Sequence, residues 1–353
     1  MRSSLLLLVL ALAACSSPPP PQEPSPEAKE RARAVAYLIE EGAALNEKGR
    51  FRDAATTFMN ACVIEPSNVK AQYDLALALE NAKDWKGAAL GFARVLELSP
   101  LLAPAHHHLA EVRLEQGDRA AARTELERTV SIDPALAAAW IDLAGLDVEE
   151  GHPDAATRRL EKATATADTA AVWYHLGLAR ELAADKKGAG TAYEHALRLD
   201  PKHAPCLNNL AVLAETRGDL ETALGFWQGA IAASPGYPPA EKNLGIALYK
   251  RKNQGYLALP HFEAYLRAGG TDQRVPPWVR EIKDASRTFR TDDRAFAIFD
   301  RTDRGMLVTA DGSFPYRDPR VGEKAASLQK GDRVRLFFES GVSPRVVDIA
   351  PAR

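Results

Sequence analysis

The chain is 353 residues long, and its 45 Lys and Arg nearly balance 47 Asp and Glu, for a net charge of −2. Such a balance provides no global field to attract nucleic acid or anionic lipid. Three cysteines are too few for a disulfide framework, and the length allows a repeat array plus one small domain.

Taken in chain order, Met1-Arg2-Ser3-Ser4 leads into an apolar run from Leu5 to Leu12 that ends in Leu12-Ala13-Ala14-Cys15. One positive charge, a short hydrophobic stretch and small residues before a cleavage point read as a bacterial export signal. A membrane-spanning helix needs roughly 20 apolar residues, more than this run supplies. The Leu-Ala-Ala-Cys ending resembles the lipobox of bacterial lipoproteins. That resemblance implies cleavage before Cys15, a diacylglycerol thioether on its sulfur and an acylated new N-terminus. Ser16 follows where the family's inner-membrane retention signal would be Asp, which points to the outer membrane. The Pro-dominated segment after it is expected to be an extended spacer.

From Val35 to Gly270 one phrase repeats. Pro66, Pro100 and Pro134 recur at about 34 residues, and Pro201 and Pro235 resume after a one-residue deletion. Glu41-Gly42, Leu75-Ala76, Leu109-Ala110, Leu143-Ala144, Leu176-Gly177, Leu210-Ala211 and Leu244-Gly245 open the units. Ala54 with Phe58, Ala88 with Phe92, Ala122 with Leu126, Ala156 with Leu160, Ala189 with Tyr193, and Ala223 with Trp227 mark second helices. Small residues let paired helices approach, and the bulky residue fills the gap toward the next pair, so the units must stack. This pattern resembles the tetratricopeptide repeat family. The seventh unit needs one extra residue, placed around Gln254 to Leu257, before Ala258, Phe262 and Tyr265 fall into register.

Pro276-Pro277 open a further helix with Trp278, Ile282, Ala285 and Phe289 on one face, suited to capping the last open repeat. Beyond it, Ala295–Phe299, Met306–Thr309, alternating Val334, Leu336 and Phe338, and Val346–Ile349 read as strands. Asp311-Gly312 and Ser340-Gly341 read as hairpin turns. The expected fold is therefore mainly α, a right-handed tetratricopeptide α-solenoid of about seven helix pairs plus a capping helix, followed by a small β-barrel of about five strands. The boundaries are residues 1–14 for the signal, 15–30 for the lipidated cysteine and tether, 31–270 for the superhelix, 271–290 for the capping helix and 291–353 for the β domain.

In the family the first helices of the pairs line a concave groove, and the resemblance carries three ladders over to this chain. One runs Tyr73, His107, Ile141, Tyr174, Asn208 and Lys242. Its neighbour runs Asp74, His108, Asp142, His175, Asn209 and Asn243 and is polar throughout. The third runs Leu77, Glu111, Gly145, Leu178, Val212 and Ile246. Polar ladder residues beside aromatic ones suit an extended peptide or a partner helix, and side-chain amides such as Asn209 and Asn243 both donate to and accept from a peptide backbone. Lysines, an arginine and asparagines make the chaperone-tail clamp of some relatives, and Ile39, Ala43, Asp74, Pro104 and His108 stand at those positions instead.

His106-His107-His108 cannot converge on one ion, because successive helical residues point about 100° apart. No cysteine or second histidine lies one turn away, although His108 and Glu111 are three apart, so no metal or other cofactor is expected. Cys62 and Cys206 lie far apart in the repeat array and are expected to be small buried residues. The C-terminal region offers no histidine or cysteine, its serines have no base nearby, and no phosphate-cradling loop is present, so catalysis is not expected. The expected function is a lipid-anchored periplasmic scaffold or assembly factor with protein partners of the cell envelope, binding neither nucleic acid nor small-molecule substrate. Its layout resembles the pilotin lipoproteins of type IV pili. A second possibility is binding of cell wall or glycan through Phe337, Tyr316 and Trp278; a third is an enzyme subunit.

Overall fold

The computed structural model describes residues 25–251, 255–291, 295–303, 306–309, 312–315, 319–329, 333–339 and 345–351. The signal, Cys15, the first part of the tether, and the turn residues Asp311, Ser340 and Gly341 lie outside them. Two compact units divide the chain, Met1–Ala139 and Trp140–Arg353. From Ser25 to Thr291 the described residues hold helices and turns and no strand.

The first unit contains three helix pairs: α1 (Pro26–Glu47) with α2 (Phe51–Ile64), α3 (Val69–Asn81) with α4 (Trp85–Leu98), and α5 (Ala103–Glu115) with α6 (Arg119–Ile132). Helix α1 begins inside the stretch expected to be tether. The Ser25 side chain accepts from the Ala28 N–H, Pro26 fits a first turn and Glu27 suits the dipole there. Asp84 and Asp118 cap α4 and α6 in the same way, through the N–H groups of Gly87 and Ala121.

The small-against-large interlock is visible in this core. Phe58, Phe92 and Leu126 are fully buried, and Gly42 lies so close under Phe58 that a Cβ would fall 2.5 Å from its ring. Burying each such side chain contributes about 1.5–3 kcal/mol. Glu41, standing where other units have Leu, is exposed; Val35, Leu38, Ile39 and Leu45 fill the first pair's interior.

The second unit contains α7 (Ala137–Glu149) with α8 (Pro153–Ala163), α9 (Ala170–Leu182) with α10 (Lys186–Leu199), α11 (Ala204–Thr216) with α12 (Leu220–Ala233), and α13 (Pro238–Ile246) with α14 (Gly255–Arg267). A π-helical turn, Ala247–Arg251, continues α13. A π turn accommodates one extra residue in a helix, so the seventh unit's insertion is taken up in its first helix, ahead of the segment where the sequence placed it. Helix α15 (Val275–Thr291) follows, with Val275 and Ile282 buried in the same core as Leu259, Phe262 and Tyr265.

The expected C-terminal β-barrel is corrected by the strand order. Strands β1 (Ala295–Asp303), β2 (Met306–Thr309), β3 (Gly312–Pro315), β4 (Arg333–Glu339) and β5 (Arg345–Pro351) pair antiparallel in the order β3-β2-β1-β4-β5. Among the described residues no ladder joins the end strands, so their hydrogen bonding is that of an open five-stranded sheet and not of a closed barrel. Helix α16 (Pro319–Ala326) lies between β3 and β4, burying Val321 and Ala325 one turn apart. That helix was not legible, because its apolar face is only those two residues in a charged stretch. What organises the chain is the helical solenoid.

Candidate protein-binding face

In the first unit, the histidine run separates as helical geometry demands. His106 turns inward and is buried, its Nδ1 2.6 Å from Glu125 of α6 and its Nε2 3.0 Å from the Pro100 carbonyl oxygen. His107 and His108 fall on the ladder side and are half-buried. The His108 ring stacks on Phe92, with centroids 5.5 Å apart and planes 9° apart, and meets the edge of Tyr73 at 5.9 Å. Its Nδ1 lies 2.9 Å from Glu111 and 3.3 Å from Glu80. Despite the desolvation of the half-buried ring, those two carboxylates hold the His108 pKa up at about 9. Asp74 is engaged by Lys70 at 2.6 Å. Burial, reinforced by Glu80, Asp74 and Glu111, pushes the Tyr73 phenol up to about 12.

In the second unit the ladder residues Tyr174, His175, Asn208, Asn209, Lys242 and Asn243 are brought close together on α9, α11 and α13. Tyr174 lies 5.2 Å from His175, 5.0 Å from His203 and 6.0 Å from Tyr193, ring centre to ring centre. The Asn243 Nδ2 donates to Asn208 Oδ1 at 3.1 Å, and Asn208 Nδ2 donates to Asn209 Oδ1 at 3.0 Å. In turn Asn209 Nδ2 donates to the Tyr193 hydroxyl at 3.2 Å, and that hydroxyl donates to Glu181 at 2.7 Å. Burial and the adjacent carboxylate raise the Tyr193 pKa well above the phenol range. Desolvation lowers the His175 pKa, against an opposing pull from Asp142. Lys242 approaches Asp272 at 3.9 Å and the Tyr265 ring at 5.9 Å.

The asparagine ladder is therefore not a row of independent groups facing water. Asn208 is only 6% exposed and serves as the middle of the relay. Three participants escaped sequence reasoning: Glu80, Glu181 and the hydroxyl of Tyr193. A signal existed, since Glu80, Glu181 and Glu215 stand at the same place after the core Leu75, Leu176 and Leu210. Trp278, considered as a sugar platform, is packed against Phe262 and Tyr249 at 5.7 and 5.6 Å, with Lys250 4.6 Å over its ring. The side chains of Tyr316 and Phe337 lie outside the described residues. Both Cys62 and Cys206 are buried free thiols, pushed up to about 11 and about 12 chiefly by that burial. Among the described residues no helix is long and apolar enough to cross a membrane.

Comparison with known proteins bears on the fold. Tetratricopeptide repeat models match residues 30–103, 113–177, 170–203 and 192–225. The photosystem I assembly protein Ycf3 of Synechococcus sp. (strain WH7803) is 30% identical over 122 residues, 34% of this chain and 69% of that protein. Among solved structures, PilF of Pseudomonas aeruginosa aligns with 61% of this chain and 98% of its own at 18% identity and a TM-score of 0.50. A tetratricopeptide repeat protein of Parabacteroides merdae covers 71% of this chain and 99% of its own at 12% identity and a TM-score of 0.52. At those identities the two structures speak to the fold alone. Helix pairs, the small-and-large interlock and the matched family models together make this chain a member of the tetratricopeptide repeat family, a scaffold built to mediate protein–protein interaction.

Proposed function

We propose that the chain is a lipid-anchored periplasmic assembly factor for a cell-envelope complex of the pilus or secretion type, and that it holds a partner segment along the first-helix ladder of its second unit. The observation that carries the binding face is the relay from Asn243 through Asn208, Asn209 and Tyr193 to Glu181. It fixes three amides beside the Tyr174 and His175 rings, Asn208 buried and Asn209 and Asn243 half-buried, preorganised before any partner arrives. Preorganised polar groups next to aromatic surface lower the ordering cost of gripping an extended peptide. An assembly role is supported by the Ycf3 relatives, which are named for assembling photosystem I. Attachment through Cys15 is supported by the Leu12-Ala13-Ala14-Cys15 ending alone.

Crosslinking and co-purification from solubilised envelopes test the face, comparing the native chain with a Tyr174→Ala/Asn209→Ala double variant whose helicity is checked by circular dichroism. One envelope protein captured by the native chain and lost with the folded variant is the expected result. The same proteins recovered with both would move the binding site elsewhere. For the anchor, Cys15→Ser is expected to release the protein from the membrane fraction, and its retention there would remove the lipid-anchor assignment.

A further inference from the structure

Glu80, His108 and Glu111 converge from two neighbouring first helices, α3 and α5, although their sequence spacing gives no metal-binding motif. One ligand atom of each, a carboxylate oxygen or a ring nitrogen, lies within 4.8 Å of the other two. The His108 Nδ1 is buried, and although it sits 2.9 Å from Glu111 Oε2 and 3.3 Å from Glu80 Oε2, neither approach has the direction of a hydrogen bond. A nitrogen whose N–H pointed at a carboxylate would be aligned with it. A buried ring nitrogen this close to two carboxylate oxygens, with a hydrogen bond to neither, leaves room for an ion to satisfy all three. Ligands held about 2.0–2.2 Å from a tetrahedral zinc ion stand about 3.3 Å apart, close to the 3.3 Å from His108 to Glu80 and a little beyond the 2.9 Å from His108 to Glu111.

Phe92 fixes the ring from behind, being itself fully buried and stacked on it, while Tyr73 closes one edge. His107 Nδ1 lies 3.7 Å from Glu111 as well. The ring plane is thus set by the core, and the two carboxylates come to it from separate turns. One nitrogen and two carboxylate oxygens suit a borderline divalent ion better than magnesium or calcium, which prefer oxygen alone. We infer that Glu80, His108 and Glu111 form a three-ligand site for a divalent first-row transition ion of the zinc class, its fourth position open to water or to a partner's side chain. The ion takes the neutral ring as its nitrogen ligand, and the site stands independently of partner capture by the second unit.

Isothermal titration of untagged full-length protein with zinc chloride at pH 8 tests it, alongside Glu80→Gln, His108→Asn and, as a control on a histidine outside the cluster, His195→Asn. Expected are one zinc bound per chain, a zinc-dependent rise in melting temperature, and affinity about tenfold or more weaker in the two ligand variants but unchanged in the control. Glu80→Gln keeps the shape of the side chain, so it remains informative if His108→Asn fails to fold. Absence of binding by the native chain, or equal binding by native and Glu80→Gln proteins, overturns the site.

Discussion

Two glycines of first helices show how the neighbourhood of one atom sets the sign of a substitution. A Cβ on Gly145 meets nothing within 4 Å, whereas one on Gly177 overlaps the ring of Tyr193. Alanine gains about 1 kcal/mol over glycine in a helix, and overpacking costs about 1–3 kcal/mol. Tyr193 cannot swing aside, because its hydroxyl is held between Glu181 and Asn209. Urea unfolding should therefore find Gly145→Ala more stable by up to about 1 kcal/mol and Gly177→Ala less stable by about 1–2 kcal/mol. His175 provides a pH signature. Its folded pKa is depressed by desolvation below the ordinary imidazole value of about 6.5, so the unfolded chain takes up the proton first as pH falls. The stability this ring contributes is complete above about pH 6.5 and is lost on acidification through the lowered folded value. The difference in unfolding free energy between native protein and His175→Asn should grow as pH rises to that point and then stay level. A difference that shrinks over the same range would contradict the assigned environment.

Helix starts tell a similar story one level up. Asp84, Asp118, Asp185 and Asp219 each cap the second helix of a pair by accepting from the N–H three residues on. Asp185→Ala should lower stability by about 1 kcal/mol, and His152→Asp, supplying a cap that α8 lacks, should raise it by a similar amount in thermal melts. These elements were legible because their signals are local. Gly49, Gly117, Gly151 and Gly218 mark the turns with positive φ, and the terminal prolines mark the period. Lys83 and Ala184 adopt the same left-handed turn without glycine, at φ of 60° and 63°, since the flanking helices hold them there. The extra residue of the seventh unit was legible as a count but not as a place, because a π turn has no composition of its own. The C-terminal strands were read from alternation, but a barrel does not follow from alternation. Closure depends on which edges pair, and the observed order leaves β3 and β5 at the ends.

At the scale of the molecule, a solenoid is a stack in which each pair covers the one before, so its last face needs a lid. Val275 and Ile282 of α15 provide it over Leu259, Phe262 and Tyr265. A chain ending at Gly270 should expose that surface and self-associate in sedimentation velocity, while retaining most of its helicity. A monodisperse monomer would show that α15 is dispensable. Candidate binding residues were legible as ladders, since a repeat reports which side chains share a face. What joins them was not, because it runs through Tyr193 and Glu181, residues whose spacing suits a core tyrosine and a surface acid.

The relay has a direction. Glu181, when ionised, can only accept, so the Tyr193 hydroxyl must donate to it and its oxygen must receive from Asn209. That fixes the Asn209 amide, whose oxygen then receives from Asn208, whose oxygen in turn receives from Asn243. A single carboxylate thus sets the polarity of three amides, the last of them more than one repeat away in sequence. A partner meeting Asn243 would find an amide whose orientation was already settled by Glu181 and could not flip it without reversing every bond behind it. Discrimination between a donor and an acceptor on the partner would then be governed by a residue that the partner never touches.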